Sequence, residues 1–311
     1  MNTYIRAFIL LFAVLPLTGC AFRTHPITTR TSTAVLKDAT LAQLVETVNI
    51  NAARVNSLKA MPVDIDSSVL ELKKNQVKDN PEVSGWILMR KPQMLHMKML
   101  VPVVRTTMAD MVSDGNTFQL SVPPKNKFIV GSNRLPPDPS LPPLYNIRPQ
   151  HIFDALLLKG IDTEKEIAVL ENSTEIVKDP KSHKDVEQAD YIVVVIAKDE
   201  TGPYLSRKII FSRTDLLPHE QYIYNRQGQL ATYVHYENFS DYSGTMFPGI
   251  VSIQRPIDGY GITLSIGKLD INLALTDDQF SLPRPPGSQL MNLDSKPSAA
   301  AFHEDATKKP Q

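Results

Sequence analysis

The feature that most constrains the fold of this chain is an alternation of apolar and polar residues with a period of two. It recurs in short segments, among them 117–122, 230–236, 262–266 and 269–275. Successive side chains of a β-strand point to opposite faces, so this pattern is typical of strands with one face buried and the other in water. Antiparallel sheets tolerate one solvated face, so we predict antiparallel strands.

Turn sequences separate the alternating segments. Asp114-Gly115-Asn116, the stretch 225–228 and Asp258-Gly259 each connect two of them. Short connections of this composition are typical of β-hairpins. The strands are therefore predicted to follow one another as a meander.

Two helices interrupt the predicted strands. The first covers 41–58, where apolar residues recur at three- and four-residue steps, and it is expected to end near Met61-Pro62. The second is short and begins at Pro149, because proline is favoured in a first helical turn. Before it, the proline-rich stretch 132–147 is predicted to cross the surface or a rim of the sheet, since proline cannot donate to a sheet ladder.

The amino-terminal residues have the features of a bacterial export signal. Arg6 precedes an apolar stretch, 7–17, that is short for a membrane-spanning helix. The following Leu17-Thr18-Gly19-Cys20 resembles the lipobox, at which the signal is removed and the cysteine is acylated. The alternative is an ordinary signal peptide with a chance cysteine. Cys20 is the only cysteine, so it has no partner for an internal disulfide.

The lipobox resemblance implies a lipid anchor on Cys20 with more than one hydrocarbon tail, such as palmitate. A single myristoyl chain binds membranes with roughly 10⁴ M⁻¹, whereas two chains give stable attachment. Ala21 follows the cysteine where inner-membrane lipoproteins carry aspartate. We therefore expect a protein of the cell envelope that is anchored in the outer membrane and faces the periplasm.

Composition and charge limit the remaining possibilities. The 33 basic and 33 acidic residues balance and are interspersed, so nothing indicates a nucleic-acid partner.

We predict a signal peptide over 1–19, a lipidated tether over 20–38, one domain over 39–283 and a disordered tail over 284–311. The domain is long enough to bury one sizeable core, and no second apolar segment of spanning length follows the signal.

The chain resembles the Lol-type carriers and receptors and their superfamily of outer-membrane lipoprotein-sorting proteins. The resemblance lies in the opening helix followed by strands and in three further segments: 85–92, 112–124 and 275–283. It covers nearly the whole domain, except for the proline-rich loop and the tail.

The resemblance implies an α+β fold with a large curved antiparallel sheet, which forms an incomplete β-barrel. The N-terminal helix and the short central helix would cover its concave face and enclose an apolar cavity for acyl chains. The chain would then bind acyl chains of lipids or lipoproteins, for sorting or transfer in the cell envelope.

The methionine-rich stretch 89–111 contains the best candidates for ligand contact, because methionine is flexible and adapts to chains of different shape. Plain filling of the core is the alternative interpretation for these methionines, and Trp86 is open to the same reading. The candidates for lining the cavity are Trp86, Leu88, Leu95, Met97, Met99, Phe118 and Leu120.

No sequence motif indicates catalysis. His219-Glu220 lacks the second histidine that a zinc-protease helix needs, and neither a hydrolase elbow nor a phosphate-binding glycine loop is present. Asp277 and Asp278 are interpreted as a solvated turn or a helix cap rather than a calcium site. We therefore expect no enzyme activity, no metal and no cofactor.

Two rival functions remain open at this stage. An envelope sensor or assembly partner would use the same sheet as a protein-binding surface, with the interior filled by its own side chains. A hydrolase with an unrecognised site would turn over ester or glycoside substrates. The sequence leaves the cargo and the oligomeric state undetermined.

Overall fold

The structure is a computed structural model, and it describes residues 30–31, 35–71, 76–136, 138, 141, 143–178, 183 and 185–295. The chain forms two compact units. The first combines 1–33 with 176–187, and the second combines 34–175 with 188–311. In the first unit, strand β1 (Arg30–Thr31) pairs in parallel with Val186 and Glu187. Cys20 and the predicted signal peptide lie outside the described residues.

The described part of the chain contains the helices α1 (Leu41–Arg54), α2 (Pro143–Asn146) and α3 (Pro149–Leu156). None of them is long and apolar enough to cross a bilayer. The strands after β1 are β2 (Ser57–Glu71), β3 (Gln76–Asp79), β4 (Val83–Arg90), β5 (Met94–Leu100), β6 (Thr107–Ser113), β7 (Thr117–Val122), β8 (Lys127–Ser132), β9 (Glu166–Lys178), β10 (Asp185–Asp199), β11 (Gly202–Ser212), β12 (Pro218–Tyr224), β13 (Leu230–Tyr242), β14 (Thr245–Arg255), β15 (Tyr260–Ile266), β16 (Leu269–Ile271) and β17 (Gln289–Asn292).

The strands form a large, open, curved antiparallel sheet. Consecutive strands pair from β10 to β15 and from β4 to β8, which confirms the predicted meander. Strand β2 joins the two runs, because it pairs with β15 on one side and with β4 on the other. With an N-terminal helix and a short central helix, the molecule has the predicted α+β fold class.

Helix α1 begins where the sequence predicts but ends earlier. At its start, Thr40 and Gln43 form a capping box, with the Thr40 backbone N–H donating to Gln43 Oε1 over 2.8 Å. At its end, Asn272 Nδ2 donates to the Arg54 carbonyl, and Asn272 Oδ1 accepts from the Asn56 N–H, each over 2.8 Å. These bonds stop the helix at Arg54 and direct the chain into β2, so the predicted extension to residue 58 is wrong.

One face of the sheet carries the main apolar core and is called the inner face here. A row of cross-strand neighbours defines it on β4 to β8: Ile87, Met97, Met111, Leu120 and Ile129. All of these side chains are buried. Helix α3 contributes its predicted apolar side to the same cluster, through Ile152, Phe153 and Leu156.

Helix α1 packs in a separate, smaller cluster. Its buried residues Leu44, Val45 and Val48 belong to a group that also contains residues of β10 and β11, such as Val193 and Phe211. The two predicted helices thus cover different parts of the sheet.

The C-terminal segment is more ordered than the sequence suggests. Residues 284–311 are predicted as a disordered tail, but Gln289–Asn292 form β17, which pairs in parallel with β8. Pairing of this kind satisfies backbone groups that an edge strand would otherwise expose to solvent. Residues 296–311 lie outside the described residues.

Candidate functional site

The inner face borders a cavity of about 390 Å³ at the end of the sheet where β2 and β5 end and β4 and β15 begin. Pockets that bind small molecules commonly measure roughly 300–1,000 Å³ and are mostly apolar. We call this space the inner cavity. Its lining residues are Ile65, Ser67, Ser68, Val69, Lys78, Asn80, Pro81, Val83, Met97, Met99, Met108, Leu144, Ile147, Tyr260, Gly261 and Ile262.

The sheet side of the inner cavity is formed by residues that alternate inward on neighbouring strands. Ile65 on β2 pairs with Val83 on β4, and Gly85 on β4 pairs with Met99 on β5. A Cβ atom at Gly85 would lie 1.9 Å from the Lys98 carbonyl oxygen. Glycine is therefore required at this position, because it allows the backbones of β4 and β5 to approach closely behind the cavity wall.

The opposite side of the inner cavity is formed by the segment that leads into α3. Leu144 and Ile147 line the cavity from this segment. Arg148 anchors it: its side chain is buried, its guanidinium donates to the Tyr145 carbonyl over 2.7 Å, and its Cζ lies 5.2 Å from the centre of the Phe118 ring. The proline-rich stretch therefore does more than cross a rim, because its end covers part of the inner face.

Tyr260 joins the two sides of the cavity. Its hydroxyl lies 3.0 Å from Nδ1 of His151 on α3. Burial, with Arg255 and Arg148 nearby, lowers the pKa of His151 well below its usual value, and burial raises the pKa of Tyr260. The phenol therefore stays protonated and forms its hydrogen bond with a neutral imidazole.

Polar groups collect at the mouth of the inner cavity. Asn80 Nδ2 donates to Ser67 Oγ over 3.1 Å, and Lys78 lies beside them on β3. Several exposed apolar residues lie in the turns and in the hairpin at this end of the sheet; Val103 is 99% exposed and Val77 67%. Polar side chains thus surround the mouth of the inner cavity, and exposed apolar side chains lie in the neighbouring turns and hairpin.

A second cavity lies beside the C-terminal end of α1 and is much smaller, about 60 Å³. Ala52 and Val55 line it together with Leu156 of α3 and Phe247 of β14. A single water needs roughly 10–15 Å³ of such space. This cavity therefore has room for a few waters only, whereas the larger inner cavity lies beneath the segment 143–148.

The structure separates the seven predicted cavity residues into three groups. Met97 and Met99 line the inner cavity. Leu95, Phe118 and Leu120 share the inner face but are buried in packed core, with exposures of 0–1%. Trp86 and Leu88 occupy even-numbered positions of β4 and lie on the outer face, because Ile87 and Met89 point inward.

Several lining residues were not among the sequence candidates. Ile65 and Ile262 belong to strands whose alternation is visible in the sequence, so their inward direction could have been recognised. Met108 lies in the methionine-rich stretch. Leu144 and Ile147 carry no local signal, because only the tertiary packing of the proline-rich segment brings them to the cavity.

The outer face carries a polar cluster around His96. Its Nε2 lies 2.7 Å from Asp110 Oδ1 and its Nδ1 lies 2.5 Å from the Gln279 carbonyl oxygen, while Trp86 packs edge-on at 4.5 Å. Lys98 Nζ lies 3.1 Å from the other oxygen of Asp110. Through the contact of His96 with Gln279, the cluster connects residues 277–280 to the sheet.

Candidates for catalysis are engaged in structural contacts. His219 Nε2 lies 2.8 Å from Asp215, and Asp277 and Asp278 lie in the first turn of the short helix Asp277–Phe280. Among the described residues, no group of three or more His, Cys, Asp and Glu side chains is arranged to hold a metal ion.

Comparisons with known proteins give matches at the level of structure. No protein-family model matches the sequence, and no curated protein matches it. The solved structures that resemble the chain include a LolA superfamily protein from Nitrosomonas europaea, with 14% identity and a TM-score of 0.46 over 79% of this chain and 99% of that one.

Two further solved structures resemble the chain. An outer membrane lipoprotein-sorting protein domain from Vibrio parahaemolyticus has 13% identity and a TM-score of 0.44, over 78% of this chain and 97% of that one. A DUF1329 family protein from Desulfovibrio piger has 11% identity and a TM-score of 0.49, with the same coverage of both chains. The function proposed below rests on the cavity itself.

Proposed function

We propose that this chain is a non-enzymatic lipoprotein of the cell envelope that binds acyl chains of lipids or of other lipoproteins, for sorting or transfer. The observation that carries the proposal is the inner cavity of about 390 Å³, which the protein's own side chains leave unfilled. Each methylene group exposed to water costs roughly 0.8 kcal/mol. An acyl chain that crosses an aqueous compartment therefore needs an apolar container of this kind.

The chemistry of the walls suits an acyl chain. Met97, Met99 and Met108 line one region of the cavity, and their unbranched, polarizable side chains adapt to ligands of different shape. Leu144 and Ile147 add aliphatic surface from the opposite side. Tyr260 also lines the cavity. Its hydroxyl already forms a hydrogen bond with His151, so it does not need one from the ligand.

Membrane attachment is the second part of the proposal. The lipobox-like Leu17-Thr18-Gly19-Cys20 would provide acyl chains at Cys20, and the tether over 20–38 would connect them to the domain. Near the end of that tether, the Lys37 N–H donates to the Arg213 carbonyl over 2.7 Å, and Arg213 pairs with Asp38. We place the protein in the outer membrane, facing the periplasm.

A sensor or assembly partner is the second candidate function. It is favoured by the part of the inner face around Leu95, Phe118 and Leu120, which is filled by the protein's own side chains. Under that function the sheet would bind another protein and the inner cavity would stay empty. The two functions differ in whether the purified protein takes up hydrocarbon.

Uptake of hydrocarbon is measured with the chain carrying Cys20→Ser, which removes its own acyl chains as a source of lipid. Native mass spectrometry and solvent extraction report a ligand that copurifies, and titration with a fluorescent fatty acid reports exchange. We expect a bound or exchangeable acyl ligand. Repeated preparations that neither retain nor take up an acyl chain would favour the protein-binding function instead.

A further inference from the structure

The register of the sheet places a lysine at the mouth of the inner cavity. Tyr260 pairs with Val69, and Val69 pairs with Lys78. Directly paired residues of neighbouring strands lie on the same face of a sheet. Lys78 therefore shares the inner face with Tyr260, and its side chain lines the cavity.

The charge of Lys78 is not balanced at the cavity. Of the described lining residues, Lys78 alone has a charged side chain. Its ammonium group forms no ion pair with the described residues. The nearby carboxylates of Asp66 and Asp79 belong to residues that pair in register with Thr263 and Ser68, on the opposite face of the sheet. There they line a polar groove that adjoins the inner cavity at Ser67, Ser68 and Asn80.

A second donor lies beside the lysine. Ser67 Oγ accepts a hydrogen bond from Asn80 Nδ2 over 3.1 Å, so its own hydroxyl proton remains available to another acceptor. Ser67 pairs with Ile262 and lines the inner cavity. An ammonium and a hydroxyl at the rim of an apolar space form a site for an anion attached to a hydrocarbon chain.

We infer that the ligand of the inner cavity is an anionic amphiphile, whose hydrocarbon chain occupies the cavity and whose carboxylate or phosphate binds Lys78 and Ser67. This inference rests on the proposed function, because it requires that the cavity hold an acyl chain. It adds a preference among ligands: at equal chain length, an anionic head binds more tightly than a neutral or a cationic one.

The test compares amphiphiles with one chain and different heads. Dodecanoate, dodecyl phosphate, dodecanol and dodecyltrimethylammonium each displace a fluorescent fatty acid from the full-length Cys20→Ser protein. We expect the two anions to bind about 1.4- to fivefold more tightly than dodecanol, since a partly exposed ion pair contributes about 0.2–1 kcal/mol. The preference should fade near 1 M salt, where the screening length falls to about 3 Å.

Variants of Lys78 test the contribution of the ligand's head group separately from that of its hydrocarbon chain. Lys78→Met should abolish the preference for anions, and Lys78→Glu should reverse it in favour of dodecyltrimethylammonium, while dodecanol binds as before. Lys198→Glu is the matched control, because Lys198 is also an exposed strand lysine but lines neither cavity. Its binding profile should equal that of the unsubstituted protein.

The outcomes distinguish this inference from the proposed function. If all four amphiphiles bind equally and Lys78→Glu changes nothing, the anionic preference is refuted while acyl binding stands. If neither the fluorescent fatty acid nor any of the four amphiphiles binds, acyl binding itself is refuted. Inorganic phosphate is tested alone: displacement by phosphate without a chain would show a free-anion site and overturn the inference for an amphiphile.

Discussion

The hydroxyl of Tyr260 on β15 lies 3.0 Å from His151 Nδ1 on α3 and thereby joins the sheet to the helix beside the inner cavity. Tyr260 is buried, and the His151 side chain is only 21% exposed. The bond fixes α3, and with it the cavity-lining segment that precedes it, at a set distance from the sheet. We therefore expect the size of the cavity to depend on this contact.

The variant Tyr260→Phe tests that contact. It removes the hydroxyl that bonds His151 Nδ1, which typically costs about 0.5–1.5 kcal/mol of unfolding free energy for a partly exposed group. Urea denaturation measures the loss, and faster exchange of a bound fluorescent fatty acid should accompany it. Tyr222→Phe is the control, because it removes a hydroxyl that donates to Glu220 away from the cavity. Equal stability of both variants would show that the Tyr260 bond does not hold α3.

Filling the inner cavity should prevent ligand uptake without unfolding the protein. Leu144 is partly buried and lines the cavity, so Leu144→Trp places a larger side chain in the space. A ligand would then meet an overpacked site, at a cost of about 1–3 kcal/mol, which weakens binding by roughly five- to 150-fold. Fatty-acid titration measures this.

The control for cavity filling is Leu141→Trp. Leu141 packs against the same apolar cluster but does not line the cavity. Fatty-acid affinity should stay within about twofold of the unsubstituted protein, a difference of about 0.4 kcal/mol. If Leu144→Trp binds as tightly as Leu141→Trp, the ligand does not occupy the inner cavity.

The packed part of the inner face should behave as ordinary core. Leu120 has an exposure of 0%, and its replacement by alanine should cost about 2–5 kcal/mol in urea denaturation, with no direct effect on ligand contact. Met108 borders the cavity and is only partly buried, so Met108→Ala should cost clearly less stability while it weakens fatty-acid binding. If Leu120→Ala instead weakened fatty-acid binding more than Met108→Ala, the ligand would lie against Leu120.

Acid should weaken the polar cluster on the outer face. Burial raises the pKa of Asp110, but the hydrogen bonds from His96 and Lys98 outweigh it, and the net pKa lies below the usual value. A depressed carboxyl pKa stabilises the fold above the unfolded pKa of about 3.9, and this contribution is lost as the pH falls through the folded value.

Asp110→Asn should therefore lower the unfolding free energy by about 1–3 kcal/mol at neutral pH, since it removes the carboxylate that pairs with Lys98 and contacts His96 Nε2. The difference from the unsubstituted protein should shrink as the pH falls from about 4, where the unfolded carboxyl begins to bind protons, towards the lower pKa of the folded carboxyl. Asp64→Asn, at an exposed strand position, should have little effect at any pH. A difference that persists unchanged into acid would exclude the ionised carboxylate as its source.

Local patterns were sufficient to predict most of the sheet. The alternation in 117–122 and 262–266 predicted strands whose inward residues, such as Leu120 and Ile262, are buried as expected. The capping sequence and apolar spacing located the start of α1. Its end depended on Asn272, which is more than two hundred residues away in the chain, so no local pattern indicated it.

The cavity was less predictable than the sheet. The direction of Met97 and Met99 followed from alternation, but Leu95 shares their direction and is packed in core, because neighbouring residues fill the space above it. The segment 143–148 and α3 cover part of the inner face and leave the rest open. Tertiary contacts set the positions of both, so no local pattern predicts which part stays open. The parallel pairing of β17 with β8 likewise has no turn signal beside it in the sequence.

The most direct test of the account is whether the inner cavity holds hydrocarbon. Native mass spectrometry of the Cys20→Ser protein, with Leu144→Trp and Leu141→Trp prepared in parallel, measures the bound mass before and after addition of a fatty acid. The account predicts an added acyl mass for the unsubstituted cavity and for Leu141→Trp, and a clearly smaller bound fraction for Leu144→Trp. Absence of any acyl adduct on all three proteins, with folding intact, would contradict it.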